Sequence, residues 1–233
     1  MAKRPRGRPR EFDEAVVLDR ALDAFWDNGY EATSLDDLAA ATGLARASIY
    51  AAFGDKESFY LRTLDRFVER MRKLFGDSSV ETVGLVRAVT DFFQGAIALY
   101  FSGDRPRGCL VICTSASPAA SHPEIRRALA ATLKAIENAF ACVFTDAEKR
   151  GLIPPDIPPS LRAQFSAAIL HSIALRARAG ESRHQLENFA QRAAALLCAE
   201  SETRLLFGKR RRAARSPRRH HLKSQTPAPP RRL

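Results

Sequence analysis

Two cysteines and two arginines lie close together near the middle of the chain, in the segment RPRGCLVICTS. Cys109 and Cys113 are four residues apart, so a helix would place both thiols on one face. Arg105 and Arg107 come just before them, and nearby cations at a helix start lower the pKa of a thiol. The segment predicts either a reactive thiol or two ligands for a soft metal such as copper(I). The alternative, favoured for the other two cysteines, is that the thiols are buried packing residues.

Aromatic residues and a histidine offer a different chemistry, a pocket for an apolar molecule. They recur on several predicted helices, so they converge if those helices pack side by side. Aromatic stripes form a core more often than a binding site, and a histidine within an apolar stripe is often a core residue, so both interpretations stay open. The pocket candidates are Phe92, Phe93, Phe140, Phe144, Phe165 and His171.

Basic residues concentrate at the two ends of the chain. Residues 1–10 contain five and residues 208–233 contain ten, with no acid in either segment, whereas the rest has a net charge of −4. Such segments bury too little apolar surface to fold alone, and a polyanion such as nucleic acid is their expected ligand. The tail either adds salt-dependent DNA affinity or has no role.

Composition excludes several classes of protein. The 233 residues contain 45% hydrophobic residues, enough for a packed core, but no uninterrupted apolar run of membrane-spanning length and no apolar leader. We therefore expect a cytoplasmic protein with reduced thiols and no membrane partner. The sequence has no glycine-rich phosphate loop, HExxH or paired CxxC motif, so an enzyme is not expected.

Helical periodicity dominates and predicts an all-α fold of about nine helices. Proline and glycine punctuate the pattern, and Ser34 with Asp37 forms a capping-box signature. The predicted helices span residues 13–28, 34–43, 46–53, 55–75, 81–101, 110–119, 124–149, 160–178 and 182–207. The predicted organisation is a basic arm (1–11), a DNA-binding domain (12–58), a connecting helix and linker (59–79), a ligand-binding and dimerisation domain (80–207) and a basic tail (208–233).

A glycine interrupts the alanine-rich segment DLAAATGLARASIYAAF. A helix-turn-helix needs a small residue where its helices cross, a residue comfortable at positive φ in the turn, and an apolar anchor in its second helix. Ala39, Gly43 and Ile49 satisfy these needs in that order. The segment is therefore predicted to be a helix-turn-helix, with its second helix beginning near Arg46.

The neighbours of this motif resemble the N-terminal domain of the TetR family of bacterial transcriptional repressors, over about residues 12–60. The resemblance implies a repressor that binds a palindromic operator as a homodimer and is released by an effector, with no required cofactor. The alternative is a sequence-independent architectural DNA-binding protein. The matching residues are Phe25, Gly29, Tyr30, Thr33, Ser34, Gly43, Ser48, Ile49, Tyr50, Phe53, Lys56 and Glu57.

The resemblance also implies which residues contact double-stranded DNA. Arg46, Ala47 and Ser48 would lie at base edges in the major groove, with Arg46 as the chief candidate for binding guanine. Ala45 stands where the family usually has an N-cap serine, and Ala51 and Ala52 replace polar residues common beside the tyrosine, which thins the contact surface. Thr33, Ser34, Tyr50 and Lys56 match phosphate-contacting positions, and Arg6, Arg8 and Arg10 would enter a minor groove.

The last two predicted helices carry apolar stripes with many small residues, which favour a four-helix interface between two subunits. The alternative is that both stripes face the chain's own core. The dimerisation candidates are Leu161, Phe165, Ile169, Leu186, Phe189, Ala193 and Leu197.

The effector is predicted only as a small molecule or a soft metal, with the metal ligands unknown. The Gly-Cys-Leu sequence at Cys109 resembles a TetR subgroup that includes copper- and electrophile-responsive repressors. The candidates for effector binding or sensing are Cys109, Cys113, Phe92, Phe144 and His171.

Overall fold

Nine α-helices and one 3-10 turn (Pro118–Ala120) account for the secondary structure of residues 12–75 and 84–199, the ranges that the computed structural model describes. These ranges contain no β-strand, which confirms the predicted all-α fold. The helices are α1 (Glu14–Asn28), α2 (Leu35–Thr42), α3 (Arg46–Phe53), α4 (Lys56–Phe75), α5 (Leu85–Tyr100), α6 (Leu110–Ser115), α7 (Pro123–Lys149), α8 (Pro159–Arg178) and α9 (Arg183–Cys198). We call α1–α3 the head and α5–α9 the body.

Short-range hydrogen bonds define the ends of the first two helices. The Asp13 carboxylate accepts from the Ala15 amide at the start of α1. Ser34 and Asp37 form the predicted capping box, in which each backbone amide donates to the other side chain, at 2.8 and 3.1 Å. Gly43 ends α2 at φ +74°, a left-handed conformation that glycine adopts without strain, so the chain turns there into α3.

The predicted start of α5 and the predicted end of α6 are wrong. Helix α5 begins at Leu85 rather than at residue 81, because Gly84 has φ +81° and cannot belong to the helix. Helix α6 ends at Ser115 rather than at residue 119, and the chain continues into a 3-10 turn at Pro118, which has no amide to extend the α-helical ladder.

A buried arginine of α8 holds the end of α9. Arg162, 1% exposed, donates to the carbonyl oxygens of Leu197 and Ala199, the latter at 3.2 Å, and pairs with Asp156. Ala199 is extended, so α9 ends at Cys198 and not at the predicted residue 207. Residues 200–207 lie outside the described ranges.

Helix α4 connects the head to the body. Arg66 and Arg70 of α4 both donate to the Asp19 carboxylate of α1, at 2.9 and 2.8 Å. The hydrogen bond from Arg66 is the main cause of the lowered pKa of Asp19. The ring of Phe67 meets the Trp26 indole edge-on, with centroids 5.0 Å apart. Helix α4 is therefore fixed against α1 by both charge pairing and aromatic packing.

The head also contacts the body directly. The Trp26 indole N–H donates to the Gly108 carbonyl oxygen at 2.9 Å, and Arg178 donates to the Trp26 carbonyl oxygen at 3.0 Å. The described residues form one compact unit up to Ala199. The domain boundaries after residues 58 and 79 therefore stay predictions, and residues 1–11 and 208–233 lie outside the described ranges.

Helix α7 is, within the described ranges, the one helix long and apolar enough on average composition to cross a membrane. It packs lengthwise against α8 and buries Phe140 and Phe144 in the core. Its apolar stretch is interrupted by Lys134 and Glu137. One face of α7 therefore packs against the rest of the body.

Alanine substitutions at two glycines test how closely the start of α6 packs on α8. Gly108 and Gly151 both have positive φ, but a Cβ on Gly108 would collide with the Ala174 carbonyl and lie 2.7 Å from Cys113 Sγ, whereas Gly151 faces open space. We expect Gly151→Ala to lower the free energy of unfolding by about 1 kcal/mol, from backbone strain alone. Gly108→Ala should cost at least about 2 kcal/mol more, from the added clash.

Urea unfolding of both variants at one protein concentration measures the difference. Equal losses for the two variants would contradict the close approach of α6 to α8.

Candidate functional site

Helix α3 has one buried face and one exposed face. Ile49 and Phe53 are 0% and 4% exposed, which confirms Ile49 as the apolar anchor of the helix. On the opposite face, Arg46, Ala47 and Tyr50 are exposed, with Tyr50 at 52%. Ser48 is half-buried at the edge of this surface. Arg46 and Ala47 thus lie on the exposed face of α3 and Ser48 at its edge, while the base contacts themselves stay predictions.

Arg46 already has a partner on the head surface. Its guanidinium forms a two-point ion pair with the Asp36 carboxylate of α2, and both side chains are largely exposed. Asp36 raises the pKa of Arg46 through this hydrogen bond. The pair holds the guanidinium beside α3. The sequence analysis did not predict this pair, although Asp36 lies close to the predicted start of α2.

The predicted phosphate-contacting residues have different environments. Lys56 lies 4.4 Å from the Tyr30 ring centroid and donates to the Glu31 carbonyl oxygen at 3.4 Å, so its ammonium is held at the start of α4. Ser34 is exposed, but its hydroxyl belongs to the capping box. The prediction for Thr33 is wrong: its side chain is 0% exposed and its hydroxyl donates to the Gly29 carbonyl oxygen.

The arm arginines Arg6, Arg8 and Arg10 lie outside the described ranges, so their predicted minor-groove contacts stay predictions.

A cavity of about 190 Å³ lies in the body, between α8 and the C-terminal half of α4. Cys109, Phe92 and His171 line it, and their predicted role in effector binding stays a prediction. Phe144 and Cys113 do not line it; Phe144 is 0% exposed in the core, as is Phe93. The walls are mainly apolar and include Phe67, Met71, Ile112, Ile136 and Leu170.

The cavity histidine is an uncharged group with spare hydrogen-bonding capacity. Burial lowers the pKa of His171 below its usual value, which favours the neutral imidazole. Its Nε2 atom has no hydrogen-bond partner among the described residues. A buried ring nitrogen without a partner is uncommon in a plain core.

The predicted lowering of the Cys109 pKa is wrong. The thiol is 3% exposed at the N-cap of α6, and burial raises its pKa to about 12. The expected cations have other partners: Arg107 donates to Asp23 at 2.8 Å, and Arg105 donates to the Asp27 carbonyl oxygen at 2.9 Å. Desolvation of Cys109 is therefore not offset by a nearby positive charge.

Arg107 instead joins the head to the body. Its guanidinium carbon lies 3.9 Å from the centroid of the Trp26 indole, a cation–π contact with the side chain 10% exposed. Arg178 of α8 donates to the Arg107 carbonyl oxygen at 3.2 Å. No sequence pattern marks this junction, because its three residues are separated by more than seventy positions.

The remaining thiols give no metal centre among the described residues. Burial raises the pKa of Cys113, whose thiol donates to the Ala174 carbonyl oxygen at 3.7 Å. The described ranges contain no cluster of three or more histidine, cysteine or acidic side chains suited to a metal ion. The expectation that Cys142 is buried is wrong: it is exposed on α7, because it lies opposite the face that carries Phe140 and Phe144.

A hydroxyl cluster links α4 to α6 beside the cavity. The Tyr60 hydroxyl lies 2.6 Å from the Thr114 hydroxyl oxygen and 2.9 Å from that of Ser115. The Thr114 hydroxyl donates to the Leu110 carbonyl oxygen, so Tyr60 donates to Thr114 and accepts from Ser115. Both joined helices also line the cavity, through Phe67 of α4 and Ile112 of α6. The two helices that line the cavity here, α4 and α6, are therefore also joined to each other by hydrogen bonds.

The dimerisation candidates divide between the surface and the core. Leu161 and Phe165 of α8 are 39% and 55% exposed, and Leu175 continues their row at 53%. On α9, Leu186, Ala193 and Leu197 are buried, so their predicted place in an interface is wrong; they face the chain's own core. Ile169 and Phe189 are half-buried, and Leu196 is a large apolar residue of α9 that is exposed, at 77%.

Comparison with protein families matches most of the described chain. Residues 17–63 match the family described as "Bacterial regulatory proteins, tetR family", and residues 85–193 match "Tetracyclin repressor-like, C-terminal domain". The chain is 34% identical over 191 residues to the HTH-type transcriptional repressor ComR of Escherichia coli (strain K12), covering 81% of this chain and 90% of ComR. It is 33% identical over 135 residues to the uncharacterised regulator YezE of Bacillus subtilis (strain 168), covering 58% and 69%.

A solved structure adds a similar protein on DNA. The TetR family regulator CifR, as a cysteine mutant complexed with a 26-bp double-strand operator, superposes with a TM-score of 0.70 at 28% identity, covering 81% of this chain and 98% of that chain.

Thiol labelling tests the environments of Cys109 and Cys142. In the folded protein, N-ethylmaleimide should modify exposed Cys142, while Cys109 reacts at least about a thousandfold more slowly because its raised pKa leaves little thiolate. Mass spectrometry of peptides over time gives both rates, and labelling in concentrated urea is the control, where the rates should converge. Equal labelling in the folded state would show that Cys109 is accessible.

Proposed function

The chain belongs to the TetR family of bacterial regulatory proteins, and on that premise we propose that it is a homodimeric repressor that binds a palindromic operator and is released by an effector. The observation that carries the proposal is the exposed face of α3, with Arg46, Ala47 and Tyr50 opposite the buried anchor Ile49. A helix held in this way fits the major groove of DNA. The relatives named above, a repressor and an operator-bound regulator, support the same function.

In this mechanism, Arg46 leaves Asp36 and donates to a guanine edge, because a bidentate contact with a base can replace the exposed ion pair. Lys56, Ser34 and Tyr50 are proposed to contact phosphates, and such contacts orient the helix without specifying sequence. Asp36 is a positioning residue that holds the guanidinium beside α3 before DNA arrives.

Effector release is proposed to act through α4 and α6. A molecule in the cavity would contact Phe67 and Met71 of α4 and Ile112 of α6, and so change the position of α4, together with the head that is fixed to it, relative to the body. The Tyr60 hydroxyl cluster and the Arg107–Trp26 contact carry that change to α1. A coupling of about 1–3 kcal/mol is typical of such linked sites.

The dimer is proposed to form through the exposed row on α8, Leu161, Phe165 and Leu175, together with Leu196 of α9. These side chains lie on the outer face of the body. A twofold dimer places two α3 helices on one side of the duplex, about 34 Å apart.

The proposed site of action is the cytoplasm, where the DNA is, and no catalytic role is proposed. A sequence-independent architectural role finds no support in the named relatives. An architectural DNA-binding protein also has no evident use for an apolar cavity lined by α4, the helix that contacts the head.

Removal of the Arg46 guanidinium should weaken specific DNA binding. We expect Arg46→Ala to cost about 1–3 kcal/mol at the cognate operator and to relax the preference at a single base pair. Arg127→Ala is the matched control, because Arg127 is also exposed and paired with a carboxylate, that of Glu124, but lies on α7. Fluorescence anisotropy with the upstream DNA of the gene and single-base variants gives both affinities.

An equal effect of the two substitutions, or a uniform loss across all DNA sequences, would contradict base recognition by Arg46.

A charge within the exposed row should dissociate the dimer. We expect Phe165→Glu to yield a monomer, because two like charges would meet across the twofold axis, and to weaken operator binding by about hundredfold through lost bivalence. Val86→Glu is the control, since Val86 is similarly exposed, at 46%, but lies on α5. Analytical ultracentrifugation gives the mass; a Phe165→Glu dimer would refute this interface.

A further inference from the structure

We infer that the cavity of the body binds a small, uncharged, mainly hydrocarbon molecule with one hydrogen-bonding group, which pairs with His171, and that binding is reversible. This inference rests on the proposed function, because it names the class of molecule that would act as effector. Four observations carry it: the size of the cavity, the distribution of polar groups on its walls, the absence of an acidic wall residue, and the burial of its thiol.

The size of the cavity limits the ligand. Its volume is about 190 Å³, somewhat more than the ~150 Å³ cavity that accepts benzene in an engineered protein. One six-membered ring with a short substituent fills such a space. Fused polycyclic or long-chain molecules would require the surrounding helices to move apart.

His171 carries a buried wall atom that lacks a hydrogen-bond partner among the described residues. The hydroxyl of Thr132 donates to the Ala128 carbonyl oxygen at 2.9 Å. The Nε2 atom of His171 has no partner among the described residues. A ligand with one donor or acceptor can therefore gain a hydrogen bond at His171, whereas the mainly apolar walls disfavour a ligand with many polar groups, each of which would lose its water.

Charge on the ligand is disfavoured. No carboxylate lines the cavity among the described residues, so an ammonium group would be buried without a counter-ion. Arg72 also lines the cavity, but its side chain is exposed and hence remains hydrated at the mouth. The interior is otherwise apolar, which favours a neutral molecule over an anion.

The cavity thiol is not placed for covalent capture. Cys109 is 3% exposed and its neighbouring arginines pair with other groups, so little thiolate is available to attack an electrophile. The apolar walls and His171 can instead hold a ligand without a covalent bond, by burial and one hydrogen bond. Binding should therefore be reversed by dilution.

Matched small probes test the inference on the full chain. Calorimetry with p-cresol and toluene compares molecules of similar shape that differ in one hydroxyl. We expect both to bind the wild type, and His171→Leu to lower the preference for p-cresol over toluene about tenfold, because the buried hydroxyl loses its partner. His171→Gln should retain the preference within about twofold, since its amide also offers a donor and an acceptor.

Charged analogues complete the set. We expect p-toluate and p-methylbenzylammonium to bind at least about a hundredfold more weakly than p-cresol, and dialysis to remove bound p-cresol completely. Tight binding of either ion, a preference unchanged in His171→Leu with normal folding by circular dichroism, or no binding of p-cresol would overturn the inference.

Operator binding in the same samples separates this inference from the proposed function. If p-cresol binds through His171 but leaves operator affinity unchanged, the ligand class stands and the proposed effector release is wrong. If the probes fail to bind while the protein still protects an inverted repeat, the repressor stands and the ligand class is wrong.

Discussion

The contact between Trp26 and the segment around Arg107 is the constraint on which the architecture depends. The indole is fully buried, donates to Gly108, stacks under the Arg107 guanidinium and lies edge-on to Phe67. It thereby joins α1, α4 and the start of α6 at one point. An aromatic ring held on several sides loses packing and a hydrogen bond together if any partner moves. The head and the body therefore cannot shift independently.

Helices α4 and α6 each serve both halves of the molecule. The first part of α4 packs in the head and the second lines the cavity, while α6 faces the cavity at Ile112 and binds Tyr60 through Thr114. A ligand needs only a modest preference for one arrangement of these helices to change DNA affinity. The close contact of Gly108 with α8 limits how α6 can respond, since its backbone has no space to move toward that helix.

The head was largely predictable from sequence because its signals are local. The Ser34–Asp37 capping box, the turn at Gly43 and the anchor Ile49 depend on neighbours within a few residues, and each was confirmed. Thr33, Cys109 and the α9 stripe were misjudged because their environments depend on packing between distant segments. Arg107 illustrates the reason, because its partners Asp23 and Trp26 precede it by about eighty residues. The sequence therefore did not reveal that the guanidinium pairs with them and does not lower the pKa of Cys109.

If Arg46 contacts bases as proposed, its exposed ion pair with Asp36 has a consequence for how the protein searches a chromosome. A guanidinium that already has a carboxylate partner gains little from an ordinary phosphate, so encounters with random DNA are weakened at this position. Only a base that offers two well-placed acceptors compensates for the partner left behind. On the proposed function, breaking the pair costs the same on every sequence, so contacts with random DNA through Arg46 become weaker and shorter, while a guanine edge offsets that cost with two hydrogen bonds.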